Sequence, residues 1–154
     1  MFEPAAINPR IVEALYEEAI ALADEVRHAF TLSGRLETAD SGEDLARVAL
    51  SSEGLRTTTR MMQAIAWLLN HRAYFMGEIN ELQFHRHGRL PPDMRTSDPA
   101  QTALLAPAIV DLVESTRDFY ARLLRLDSSW RPAGPGQPSP LERLREQLEQ
   151  RLAS

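Results

Sequence analysis

Apolar residues recur at helical spacing along three long segments of the chain, and this periodicity constrains the fold more than any other feature. The first segment carries an apolar residue at every third or fourth position, the spacing of one helix face. These residues are Val12, Leu15, Ala19, Leu22, Val26 and Ala29. Asn8 before Pro9 is typical of a helix start, and Gly34 of a helix end. Because no segment alternates between polar and apolar residues as a strand does, the sequence predicts an all-α protein.

The second helix is predicted to begin near Ser41 and Asp44, which have the spacing of a capping box. Its apolar stripe is predicted to face the core. The stripe consists of Val48, Leu55, Met62, Ile65, Leu69 and Met76. Pro91 and Pro92 end any continuation of this helix, because proline lacks the backbone donor that a helix interior needs.

A third helix is predicted from Pro107, with an apolar stripe formed by Ile109, Leu112, Phe119, Leu123 and Leu126. Residues 128–140 are rich in proline, glycine and serine, as linkers are. At the end of this segment, a capping pattern at Ser139 opens an amphipathic tail helix over 141–154. We therefore predict a three-helix antiparallel bundle domain over 1–127, a linker over 128–140 and a tail helix. The tail's leucine side would contact a partner or dock on the body, through Leu141, Leu144, Leu148 and Leu152.

Composition excludes several classes of protein. The 154-residue chain is 44% hydrophobic and 25% charged, which suits one globular domain. It has no cysteine, so disulfides and thiolate chemistry are excluded. Its net charge of -5 argues against nucleic-acid binding. The apolar run from Met61 to Asn70 is about half of the roughly 20 residues that span a membrane, and no secretory signal is evident. We expect a cytoplasmic protein without membrane insertion.

The second helix has more apolar surface than one core stripe uses. The run from Met61 to Leu69 is apolar on nearly every side. In a small bundle, such a surplus is most simply buried in a homodimer, and interfaces are enriched in aromatic, methionine and arginine residues. An exposed partner groove is the alternative. The residues predicted to make dimer or partner contacts are Arg56, Arg60, Met61, Trp67 and Leu68.

The sequence contains little that indicates catalysis. His85 and His87 could hold a metal only with further ligands, so a solvated loop is the simpler interpretation. His71 on a helix suggests histidine phosphotransfer, the alternative function, although Arg72 is followed by bulky residues rather than by a nearby glycine. Thr57, Thr58 and Thr59 lie inside the second helix rather than at an anion-binding start. With no phosphate loop, nucleophile elbow or zinc-protease spacing, we predict no enzyme activity, metal or cofactor.

Two segments carry a resemblance to a known family. They are "RVALSSEGLRTTTRMMQAIAWLLNHRA", residues 47–73, and "FYARLLRLD", residues 119–127. The most specific part is the pattern E-x-L-R-x-T-T-R-x-M-Q followed by W-L-L. The chain resembles the RcdA family, the alphaproteobacterial regulators of CtrA degradation. The resemblance implies a dimer of three-helix bundles that acts as an adaptor. It would bring cargo such as the cell-cycle regulator CtrA to the ClpXP protease, which a response-regulator adaptor has primed, with recruitment to a cell pole.

Overall fold

The computed structural model describes residues 8–38, 44–93, 98–130 and 140–153. Within these ranges the regular structure is helical and includes no strand. The helices are α1 (Pro9–Thr38), α2 (Asp44–Phe75), α3 (Glu81–His87), α4 (Pro99–Thr102), α5 (Pro107–Trp130) and α6 (Pro140–Leu152). The predicted all-α fold class is confirmed.

Several predicted helix ends agree with the structure. The Asn8 side chain accepts a hydrogen bond from the Ile11 N–H at 2.9 Å, as an N-cap does, and α5 begins at Pro107. By contrast, α1 continues through Gly34 to Thr38. One glycine costs about 1 kcal/mol in a helix, which is too little to end a well-packed one. The capping residues Ser41 and Ser139 lie outside the described residues.

The segment predicted as a linker overlaps a helix at each of its ends. Residues 128–130 belong to α5, and Pro140 is the first residue of α6. Residues 131–139 lie outside the described part of the chain. The apolar pattern of α5 ends at Leu126, but the three polar residues that follow it are compatible with one more helical turn.

The core lies between α1, α2 and α5. Its main cluster is built from all three helices and one residue of the loop after α3. The cluster comprises Val12, Leu15, Ala19, Met61, Ala64, Trp67, Leu68, Leu90, Phe119, Tyr120 and Leu123. A second cluster of Leu50, Ile109 and Val113 lies toward the beginning of α2. The apolar stripes predicted for α1 and α5 are buried or half-buried along their length, so those two predictions are confirmed.

The helix directions differ from the predicted antiparallel bundle. α1 and α2 are antiparallel, because Glu13 pairs with Arg72 near one end and Phe30 lies against Gly54 near the other. α2 and α5 run in the same direction, however. Their contacts advance together along both helices, from Arg60 with Thr116 to Trp67 with Asp127. The prediction was therefore wrong in the direction of the third long helix.

The segment between α2 and α5 runs back along the bundle. α5 therefore starts near the beginning of α2 and runs parallel to it. Gly77 has a φ of 75°, a conformation that favours glycine, and it terminates the turn after α2. α3 follows from a capping box at Asn80. It folds back so that the Phe84 ring meets His71 edge-on, with centroids 4.7 Å apart. The loop after α3 then passes Trp67 and Arg60 on its way to α4.

Candidate interaction surface

α2 turns a different face to the core from the one that its periodicity predicts. Five residues of the predicted core stripe are between 43% and 66% exposed, and Ile65 is half-buried. The five are Val48, Leu55, Met62, Leu69 and Met76. The face toward the core instead carries Met61, Ala64, Trp67, Leu68 and His71. The sequence therefore identified two apolar stripes on α2 correctly but assigned the core to the wrong one.

The residues predicted for dimer or partner contact lie inside the protomer. Met61, Trp67 and Leu68 belong to the main core cluster, and Leu68 has no exposed surface. The Arg60 side chain is 1% exposed and that of Arg56 is 14% exposed. In the single chain, these side chains therefore pack within the protomer's own core and polar contacts.

A set of buried and partly buried polar contacts joins α2 to α4 and α5, and we call it the polar seam. At one end Arg56 binds Glu53 at 2.7 Å and donates to Gln101 at 3.4 Å. One turn further, Arg60 donates from Nε to Asp93 Oδ2 at 3.0 Å and from Nη1 to Thr116 Oγ1 at 3.1 Å. A buried arginine retains its charge, so these acceptors compensate in part for the water it has lost. The Arg60 Nη2 is buried without a hydrogen-bond partner among the described residues.

The polar seam continues to the other end of α5. The Tyr120 hydroxyl contacts Gln63 Oε1 at 3.2 Å and the carbonyl oxygen of Pro91. Asp127 accepts from Trp67 Nε1 at 3.1 Å and from the Leu90 N–H at 3.3 Å. The seam therefore holds the returning loop against both helices. It also explains the motif of α2, since Glu53, Arg56, Arg60, Gln63 and Trp67 all belong to it.

The position of Tyr120 predicts a measurable alkaline titration. Burial, followed by the negative charge of Asp93, raises the pKa of Tyr120 to about 12. In the unfolded chain, the Tyr120 phenol has an ordinary pKa of about 10. Because its pKa is higher in the folded protein, the protonated phenol contributes to stability below about pH 10, and this contribution is lost between about pH 10 and 12. We expect the unfolding free energy of the wild type to fall more steeply over this interval than that of Tyr120→Phe. Denaturant unfolding at several pH values measures this difference.

The same titration is accessible by tyrosinate absorbance. The chain has three tyrosines, and it has neither lysine nor cysteine to titrate beside them. One of the three is expected to ionise late in the folded protein, and Tyr120→Phe should remove that late step. Tyr74→Phe serves as the control because no contact of the polar seam involves Tyr74. A late step that persists unchanged in Tyr120→Phe would contradict the prediction.

The outward side of α2 is uncharged over most of its length. Between Arg47 and Arg72 the only residues of α2 that carry a formal charge at pH 7 are Glu53, Arg56 and Arg60, and all three belong to the polar seam. The exposed residues are apolar, small or hydroxyl-bearing, and we call this surface the α2 face. It consists of Val48, Ser51, Leu55, Thr58, Met62, Ala66 and Leu69, with Met76 just beyond the helix. Since solvated helix faces normally carry charge, this surface has the composition of an interface.

The tail helix presents a second apolar stripe. Every described side chain from Leu144 to Ala153 is exposed, and Leu144, Leu148 and Leu152 are 56%, 55% and 86% exposed. The Leu141 side chain lies outside the described residues. Arg145 and Glu149 form an exposed ion pair at 3.5 Å on this helix. An amphipathic helix with an open leucine side is suited to binding in an apolar groove of another protein.

Other candidate chemistry receives little support from the geometry. In the described ranges no group of three or more histidine, aspartate or glutamate residues could hold a metal ion. His71 is 3% exposed and its Nδ1 lies 2.9 Å from the Trp67 carbonyl oxygen, so the ring is not presented to a phosphodonor. Thr57 is fully buried rather than at a helix start. Among the described helices, none is long and apolar enough to cross a bilayer.

Comparisons with known proteins place the chain in a family. No curated protein and no solved structure matches it. Residues 4–152 match the family described as "Protein of unknown function (DUF1465)". This match covers α1 to α6, including both the α2 face and the tail helix. The chain therefore belongs to the DUF1465 family.

Proposed function

We propose that this protein is a non-enzymatic adaptor for regulated proteolysis. It acts as a homodimer that brings cell-cycle regulators such as CtrA to ClpXP primed by a response-regulator adaptor. The observation that carries the proposal is the α2 face, an exposed and uncharged surface with the composition of a protein interface. The resemblance of residues 47–73 to the RcdA family supplies the identity of the cargo and protease.

The α2 face supports a dimer because its large apolar residues are placed symmetrically. They recur every seven residues, with Met62 at the centre of the series. If two α2 helices pair antiparallel about a two-fold axis at Met62, Leu55 of one protomer lies opposite Leu69 of the partner subunit. Val48 then lies opposite Met76 of the partner subunit. A two-fold interface requires such self-complementarity, and a seven-residue repeat favours a shallow left-handed crossing.

The residues between the large ones support close approach of two such helices. Ser52, Thr59, Ala66 and Ala73 lie three residues before Leu55, Met62, Leu69 and Met76, and all four are small. Since the α2 face is uncharged, two copies meet there without repulsion, although each chain carries a net charge of -5.

The tail helix supplies a separate contact for cargo or protease. In a dimer, two tails with open leucine sides are tethered to one body. When a partner binds the first tail, the effective concentration of the second tail at that partner rises. The function belongs in the cytoplasm, where ClpXP acts, with recruitment of the complex to a cell pole. Neither the delivery of cargo nor the recruitment to a pole requires a cofactor or a metal.

A reconstituted degradation reaction tests this function. ClpXP, its response-regulator adaptor and a CtrA-like cargo from the same organism are combined, and cargo loss is followed with and without this protein. We expect at least about a fivefold faster initial rate with it, since a coupling of 1 kcal/mol or more between adaptor and cargo corresponds to that factor. An unchanged rate with all other components active would contradict the proposal.

A tail variant and a control separate the contribution of the tail from that of the dimer. Leu144→Ser combined with Leu148→Ser removes the apolar side of α6, where both leucines are exposed. We expect it to abolish the acceleration without changing the dimer mass. Ile20→Ser on α1 is the control, because Ile20 is a similarly exposed apolar residue outside both surfaces.

A further inference from the structure

A groove between α4 and α5 forms a further surface, distinct from the α2 face and from the tail helix. Its volume is about 660 Å³, within the range of pockets that bind a ligand or a few side chains. Most of its wall is apolar. The apolar lining consists of Pro99, Ala103, Leu105, Pro107, Val110 and Val113.

The rim of the groove is also apolar and accessible. Residues 99–110, "PAQTALLAPAIV", contain no charged residue. Pro99, Ala103, Leu104 and Pro107 are all exposed, with Leu104 at 45%. An uncharged, exposed segment of this length beside a concave apolar surface is typical of a binding site for another apolar group.

The charged residues of the groove are predominantly acidic. Glu53, Asp111 and Glu114 contribute three carboxylates, whereas among the described lining residues Arg117 contributes the only positive charge. Arg117 is already paired with Glu114 at 3.2 Å, and Arg56 binds Glu53. Asp111 is exposed and has no ion-pair partner among the described residues. A ligand that brings a positive charge to Asp111 would therefore complement the groove.

We propose that the α4–α5 groove binds a protein segment in which an aliphatic residue is followed by arginine or lysine. The aliphatic side chain fills the space between Leu105, Val110 and Val113. The cationic side chain extends along the rim to Asp111. A short segment of this kind gains its affinity from one buried anchor and one charge pair, so the interaction is weak and readily reversible.

A labelled peptide measures this binding on the full-length protein. The probe is a capped peptide with leucine followed by arginine in an alanine–glycine background, and its fluorescence anisotropy is followed during titration with protein. We expect saturable binding with a dissociation constant of about 0.05 to 1 mM, corresponding to 4 to 6 kcal/mol. Peptides with glutamate in place of arginine, or serine in place of leucine, should bind at least about tenfold more weakly.

Two protein variants locate the site, and a third is the control. Asp111→Lys reverses the charge on the rim and should weaken binding of the leucine–arginine peptide by at least about tenfold. Asp118→Lys is the matched control, because Asp118 is an exposed aspartate on the same helix that does not line the groove. Asp118→Lys should change the affinity by less than about twofold, because physiological salt screens a charge at residue 118 from the peptide in the groove. Val110→Trp fills the groove and should also abolish binding, with circular dichroism and thermal unfolding showing that the helix content and stability of the protein are retained.

Three results would overturn the proposal. They are equal effects of Asp111→Lys and Asp118→Lys, equal affinity for the arginine and glutamate peptides, or no saturable binding of the leucine–arginine peptide. None of them bears on the proposed adaptor function, because cargo degradation is measured in a separate reaction. Conversely, a failed degradation reaction leaves the peptide titration interpretable.

Discussion

Trp67→Ala is expected to lower the free energy of unfolding by about 4 kcal/mol, the usual cost of removing a buried aromatic side chain. Trp67 is 3% exposed and lies in the main core cluster. Its ring lies against that of His71, with centroids 4.0 Å apart and the ring planes tilted by 46°, and its indole N–H binds Asp127. For a chain of this length, the loss corresponds to a fall in Tm of about 8 to 16 °C. Thermal and denaturant unfolding at one fixed protein concentration measure it.

Trp67→Phe is the matched variant that separates packing from hydrogen bonding. Phenylalanine retains most of the ring but cannot donate to Asp127, which still accepts from the Leu90 N–H. We expect an intermediate loss of about 1 to 3 kcal/mol. If Trp67→Ala instead left stability unchanged and only halved the mass in solution, Trp67 would be a dimer contact and not a core residue.

The sequence predicted α1 and α5 well because their charges mark the solvent side. On α1, Glu17, Glu18 and Asp24 lie largely off the apolar stripe, so only one face was available for the core. Over most of α2, no charged residues mark the solvent side in this way. Its exposed face carries no charge, whereas its inward side includes Glu53 and Arg60. Periodicity identifies apolar faces, but it does not distinguish a core face from an interface when both are apolar.

The polar seam could not be derived from spacing along the chain. Arg60 is 33 residues from Asp93 and 56 residues from Thr116, and Trp67 is 60 residues from Asp127. Such pairs form only after the segment between α2 and α5 has returned along the bundle. That segment has no strong periodicity, so neither its path nor the direction of α5 was predictable. One signal was available, since arginines among buried apolar residues of a helix indicate buried polar partners.

Met62→Glu is expected to convert the protein from a dimer to a monomer. Met62 is 66% exposed in the protomer and lies at the centre of the α2 face. In the proposed interface, the two-fold axis places this residue opposite its own copy, so one substitution introduces two carboxylates at the same point. Burial of unpaired charge and like-charge repulsion should together weaken the dimer by about a thousandfold or more, which is at least 4 kcal/mol. Sedimentation equilibrium over a range of concentrations measures the dissociation constant.

Ile20→Glu is the control for this substitution. Ile20 is 42% exposed on α1, outside the α2 face, so a glutamate there should leave the dimer intact. The sharper test is complementation, because Met62→Lys should also be monomeric when alone. If α2 pairs antiparallel about Met62, an equal mixture of Met62→Glu and Met62→Lys places opposite charges across the axis and restores a heterodimer. Dimers of unchanged affinity in Met62→Glu alone would show that the dimer forms through a surface other than the α2 face. Monomeric variants whose mixture remains monomeric would instead exclude pairing of residue 62 with itself, because opposite charges brought together on the axis should attract.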